Sequence, residues 1–292
     1  MTATSTSLDE LRREIDAIDD SLHALLMRRA EVQRRVGRAK EGSGHEHGNS
    51  AYIRPGREAL VLRRLIANHD GPFPKAVVVR IWREIFAAGL SLQSPFSVAV
   101  LADSEGRYGL QRIARDHFGT LTQLHDMGTP SQVLRAVGEG RASLGVLPMP
   151  ESEEAAPWWP SIARHGEGVP RIIARLPFAR SETGHAAREA LVVSLAQPEE
   201  TGQDGGYIAV ETPQETSRTA LRRILETTGF EIMDWKVTHD LDGASYYLVT
   251  CRGVVRDDDP RLAALAASGD ATVRQAWALG GYAEPLGPAE LA

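Results

Sequence analysis

One cysteine, Cys251, among 292 residues excludes an internal disulfide. No apolar run approaches the ~18 residues that a membrane-spanning helix needs, which rules out a spanning segment and predicts no membrane partner. The opening stretch Met-Thr-Ala-Thr-Ser-Thr-Ser has neither the basic start nor the apolar core of a secretory signal, and with the lone thiol this predicts a cytoplasmic protein. Positive charge is not in excess: 33 Lys and Arg face 39 Asp and Glu, a net charge of −6, which argues against a general nucleic-acid binder. Repeats and low-complexity tracts are missing too, and His45 with His47 is too sparse for a metal site.

What remains is ordinary globular material, 42% apolar and 25% charged, long enough for roughly two domains at ~150 residues each. The charge is unevenly spread. Residues 1–95 hold 15 basic against 12 acidic residues, whereas the rest of the chain is strongly acidic, so a small anion is expected in the N-terminal third.

Leu8, Leu11, Ile15, Ile18, Leu22, Leu25, Arg29, Val32, Val36 and Ala39 recur at intervals of three and four, a heptad seam on one helix from about 8 to 41. Ser7 and Glu10 form a capping box at its start. Gly42 to Ser50 has no apolar residue and reads as a loop. Pro55 opens a second helix to about Asn68, and a third follows from Lys75 to Gln93 with Val78, Trp82, Ile85 and Gly89 in one row.

From Phe96 the pattern alternates between short strands and helices up to Pro148, the signature of a parallel α/β layer. Two more strands are expected at Pro170–Leu176 and Ala190–Leu195. Gln203-Asp204-Gly205-Gly206 reads as a linker, followed by a β-α-β-β unit: Tyr207–Val210, Ser217–Thr228, Glu231–Thr238 and Ser245–Cys251. Trp158-Trp159, between prolines, is expected to be a packed corner.

Each of the three helices offers a polar group on its inward stripe. Arg29 replaces an aliphatic residue in the seam, and an unpaired buried guanidinium costs several kcal/mol, so something anionic should meet it. Lys40 shares its face about 16 Å further along, a gap that fits one small anionic molecule. Glu58 lies in the row of Leu62 and Leu65, and Gln93 ends the row of the third helix. The plainer alternatives are a dipole-complementing Glu58, a frayed Gln93, and an Arg29 paired with a carboxylate of another helix.

Leu11-Arg12-Arg13-Glu14-Ile15-Asp16, Leu25-Leu26-Met27-Arg28-Arg29, Val36-Gly37-Arg38-Ala39-Lys40 and Arg54-Pro55-Gly56-Arg57-Glu58, with the helix end before Gln93, resemble the all-helical chorismate mutases over residues 8–95. The resemblance implies a [3,3] rearrangement of chorismate to prephenate without metal, cofactor or nucleophile. It implies that Arg12 and Arg29 bind the substrate carboxylates, Lys40 and Gln93 donate to the ether oxygen, Glu58 orients the ring hydroxyl, and Arg57 supports the site. Gly89 stands where family members often carry a substrate-binding serine, and Arg54 where some carry an aspartate. Arg12 and Lys40 are about 42 Å apart on one continuous helix, so they cannot hold the same ligand from one chain. An intertwined homodimer follows, with the heptad seam as its buried surface.

The order of the remaining elements resembles the bifunctional mutase/prephenate dehydratases. It implies three domains: the mutase at 1–95, a periplasmic-binding-like α/β lobe at 96–202, and an ACT-like α+β unit at 207–285. Ala102-Asp103-Ser104-Glu105-Gly106-Arg107-Tyr108-Gly109 lacks the Thr and Ser hydroxyls of the family's opening dehydratase motif, Pro148-Met149-Pro150-Glu151-Ser152 keeps only the ends of a second motif, and Arg188-Glu189-Ala190 has no counterpart of the threonine of a third, so dehydratase activity is expected to be lost. The alternatives are a chain that keeps both activities and a non-catalytic regulator docked on another aromatic-pathway enzyme.

Overall fold

The computed structural model describes residues 7–41, 52–102, 109–151, 154, 156–180, 188–239, 244–267 and 272–292. The expected loop Gly42 to Ser50, with His45 and His47, lies outside them.

The heptad seam forms one unbroken helix, α1, Leu8–Glu41. Its capping box is made as expected: Ser7 N–H donates to Glu10 Oε2 at 2.8 Å, and Glu10 N–H to Ser7 Oγ at 3.3 Å. Helix α2, Pro55–Ala67, opens on its proline, and α3 runs Lys75–Ser91. The inward row of α3 lies one residue round from the expected one. Val79, Arg83, Phe86 and Gly89 are its buried residues, while Val78, Trp82 and Ile85 are half-buried. A charge at the centre of a row normally marks the solvent side, but here the buried Arg83 has a half-buried partner in Glu58.

Among the described residues nine strands join in one sheet, in the order β2-β1-β3-β5-β4-β9-β6-β8-β7. Strands β1 (Ser97–Leu101), β2 (Gln123–Met127) and β3 (Leu144–Pro148) are parallel, connected through α4 (Leu110–Phe118) and α5 (Pro130–Gly138). The parallel layer stops there. Strand β5 (Ala190–Ser194) runs antiparallel to both β3 and β4 (Arg171–Leu176).

The rest of the sheet, β6 (Asp204–Pro213), β7 (Ile232–His239), β8 (Ala244–Arg252) and β9 (Gln275–Ala283), is antiparallel, with α6 (Arg218–Thr227) and α7 (Pro260–Ala266) between strands. A short α8, Pro288–Leu291, follows. Strand β9, not expected from the sequence, joins the two halves: Ile172 of β4 pairs with Gly280. Gly280 has φ +109, and a Cβ there would lie 2.2 Å from the Ile172 carbonyl oxygen, so the junction demands glycine.

The expected linker Gln203–Gly206 is not one, because β6 begins at Asp204. Its glycines serve close packing instead: a Cβ on Gly205 would meet the Tyr282 ring at 2.6 Å, and one on Gly206 the Gly253 carbonyl at 2.3 Å. Trp158 and Trp159 form the expected packed corner, with Trp158 Nε1 donating to the Pro148 carbonyl at 3.0 Å. At the other end, Leu62, Val79 and Phe86 of α2 and α3 pack with Phe178, Ala283 and Leu286, which seats the helical hairpin on the sheet.

Candidate active site

Arg29 sits where α1 first meets α3. Its Nη1 donates to Gln33 Oε1 at 2.7 Å and lies 3.4 Å from the Ile85 carbonyl, and its guanidinium stands 5.7 Å from the Phe86 ring centre. Burial lowers its pKa, and the nearby Glu58 carboxylate opposes that.

Glu58 is held by a residue that sequence reasoning missed. Arg83 Nη1 donates to Glu58 Oε2 at 2.8 Å, and the Arg83 side chain is only 5% exposed. Burial pushes Arg83 down to about 10 while Glu58 pulls it up. Burial raises the Glu58 pKa, with Arg83 and then Arg29 working against the rise. Glu58 also lines a small apolar cavity with Phe86, Phe118, Ile173 and His117, whose pKa lies well below the ordinary value because it is buried and beside Arg83.

Gly89 makes room for Gln33. A Cβ there would fall 1.8 Å from Gln33 Nε2, so the amide lies directly across bare backbone. Gln93 is not frayed: its Nε2 donates to the Gly89 carbonyl at 2.8 Å, and its side chain packs on Gly37 of α1. Three helices thus bring Arg29, Glu58, Gly89 and Gln93 into one chain of neighbours.

Lys40 stands at the end of α1, its ammonium 5.1 Å from the Tyr52 ring centre. Burial lowers its pKa first, Arg54 lowers it further, and Glu199 raises it. Glu199, from the segment between β5 and β6, has no signal in the sequence. Its Oε1 accepts from Arg54 Nε at 2.6 Å and its Oε2 from the Arg57 backbone N–H at 3.1 Å. The Arg57 residue is otherwise exposed.

Arg12 does not join this group within one chain. It is exposed, with Nη1 3.3 Å from Asp9 of its own helix. The unbroken α1 keeps it about 42 Å from Lys40.

A second cavity of about 560 Å³ opens on the sheet, lined by Met149, Glu151, Arg175, Glu189, Tyr207 and Tyr282 among others. Arg175 donates to Glu189 Oε2 at 2.6 Å and to Tyr282 Oη at 3.2 Å, while Glu189 also pairs with Arg180. Among the described residues no cluster of three His, Cys, Asp or Glu is arranged to hold a metal ion, and no helix is long and apolar enough to cross a membrane.

Residues 11–94, which span α2, α3 and all but the first turn of α1, match the chorismate mutase type II family. Over 154 residues the chain is 34% identical to a bifunctional chorismate mutase/prephenate dehydratase of Pseudomonas aeruginosa, covering 53% of this chain and 42% of the relative. A protein of the same description from Stutzerimonas stutzeri is 34% identical over 149 residues, covering 51% and 40%. The chain therefore spans about two fifths of the length of the curated relatives it matches. A solved prephenate dehydratase from Arthrobacter aurescens, in complex with L-Phe, aligns with 64% of this chain and 90% of its own at 15% identity and a TM-score of 0.44.

Proposed function

We propose that the protein is a chorismate mutase of aromatic amino-acid biosynthesis, rearranging chorismate to prephenate in the helical region. The observation that carries this is the convergence of Arg29, Glu58 and Gln93 from three helices inside the segment that matches the mutase family. The reaction is pericyclic: one C–O bond breaks as one C–C bond forms, with no proton transferred. The protein has only to hold two carboxylates, fold the enolpyruvyl arm over the ring and stabilise charge growing on the ether oxygen. Arg29 supplies a half-buried cation for one carboxylate, Lys40 and Gln93 are the donors to the ether oxygen, and Glu58, steadied by Arg83, takes the ring hydroxyl. Gln33, lying across Gly89, adds a neutral amide at the place where a serine would otherwise stand.

The second carboxylate falls to Arg12 of a partner subunit. The support is the exposed apolar seam of α1, which has the length and pattern to pair with a second copy, and the distance that bars Arg12 from its own Lys40. In the same reading residues 1–95 are the mutase domain, 96–202 a dehydratase-like lobe and 207–285 an ACT-like unit, in a cytoplasmic homodimer.

The lobe does not dehydrate prephenate. Arg188-Glu189-Ala190 brings no hydroxyl to the cavity, and Glu189 is engaged by Arg175 and Arg180. The bifunctional relatives favour the opposite reading, in which both activities survive. Chorismate added to the purified chain should lose its ultraviolet absorbance; the absence of both turnover and binding would remove the mutase reading. Phenylpyruvate formed from prephenate at neutral pH, above the uncatalysed rate, would restore the second activity.

A further inference from the structure

We propose that Glu199 is a positioning residue of the helical site: it draws Arg54 and the opening turn of α2 together and so sets how Lys40 meets the substrate. The proposal rests on the mutase reading above. The contact is two-pronged, one carboxylate oxygen on the Arg54 guanidinium and the other on the Arg57 backbone N–H. It is also built into both segments. Gly56 is buried, and a Cβ there would lie 2.6 Å from Glu199 Cβ and 3.3 Å from the Glu199 carbonyl oxygen, so only glycine admits this approach.

The segment that presents Glu199 is itself anchored. Asp204 accepts from the Thr201 and Gly202 backbone N–H groups at 2.7 and 3.0 Å, and Arg63 of α2 donates to Thr201 Oγ1 at 2.8 Å. The carboxylate is therefore delivered at a fixed point beside the N-terminus of α2, where negative charge is favoured.

Its electrostatic reach covers both ends of the site, Lys40 and Glu58. Tyr52, Arg54 and Glu199 face Lys40. Burial and Arg54 both disfavour the ammonium, and Glu199 favours it.

The chain has three lysines, Lys40, Lys75 and Lys236, so reductive ¹³C-methylation, which keeps their charge, allows Lys40 to be titrated by NMR in the full-length protein. Glu199→Gln, which can still accept from Arg57, should lower the Lys40 midpoint by about half a unit or more. Arg54→Gln should raise it, and the double variant should return close to wild type. The alkaline limb of kcat should follow the same order, with KM for chorismate changed less than about twofold.

An unmoved Lys40 midpoint in Glu199→Gln, or a uniform fall in kcat at every pH, would overturn the proposal in favour of a structural tie. Should Glu199→Gln not fold, the upward shift in Arg54→Gln alone decides, and its failure to appear would be equally fatal. Wild type that leaves chorismate untouched removes the reaction itself, and Glu199's part in it. Turnover with a Lys40 midpoint indifferent to Glu199 removes Glu199 alone.

Discussion

Along α1, Leu8, Leu11, Ile15, Ile18, Leu22, Leu25, Val32 and Val36 stand 43–62% exposed, whereas every residue of β3 and β5 is buried. The sheet closes its core from within, with helices and tryptophans supplied by the same chain. The rod does not, and only its last turns touch α3. An apolar stripe of that length is far larger than a monomer usually shows to water, so the two regions differ in what they need: the sheet needs nothing more, and α1 needs another surface.

The sharpest way to break this contrast is to charge the seam. Ile15→Glu with Leu22→Glu should yield a well-folded monomer by light scattering, since each buried Ile or Leu contributes about 1.5–3 kcal/mol and a symmetric pair loses four of them. Turnover should fall with the association, because Arg12 would no longer reach a site. The same two charges placed at exposed Leu121 and Met233 of the sheet region should leave the oligomeric state unchanged.

Arg83→Ala should cost about 3–5 kcal/mol in chemical denaturation, because it strands Glu58 without its partner. The pH dependence has a definite sign. Burial holds the Glu58 carboxyl above its ordinary 4.5, so the fold favours the protonated form. Stability is therefore lost as pH rises from the unfolded value through the raised folded one. The loss should be steeper in Arg83→Ala and absent from Glu58→Gln with Arg83→Met.

Lys40→Ala, at the clamped end of α1, should lower kcat by about 10²–10³-fold, or ~2.7–4 kcal/mol, without altering the oligomer. The smallest effect belongs to the closed sheet. Burial pushes the Cys251 thiol up to about 12, so it stays un-ionised at neutral pH and should react with iodoacetamide only as the sheet unfolds, a label of that half alone.

The helices were legible because their signals are local. Heptad spacing, the Ser7–Glu10 box and Pro55 each act within a turn or two, and α1 and α2 begin where these residues place them. Arg29, Glu58 and Gln93 could be singled out because each breaks an apolar row. What escaped depends on partners far away in sequence. Arg83 looks like a solvent residue until Glu58 is beside it. Gly205 and Gly206 look like part of a linker until Tyr282 and Gly253 press on them, and nothing around Glu199 points to Arg54. Strand β9 was missed because its mixture of Ala, Gly and aromatic residues has no alternating period, being buried on both faces over most of its length.

Arg63 fastens the middle of α2 to the Gln203 and Glu284 carbonyls at 3.0 and 2.8 Å, at the ends of strands β6 and β9. Excision after Gln93 would thus sever more than a tether. The freed fragment would expose the flank of Leu62 and Phe86 that Phe178 and Leu286 now cover, and three guanidinium bonds would be traded for hydration. Transplanting these helices onto another scaffold would succeed only if the recipient offered a matching socket.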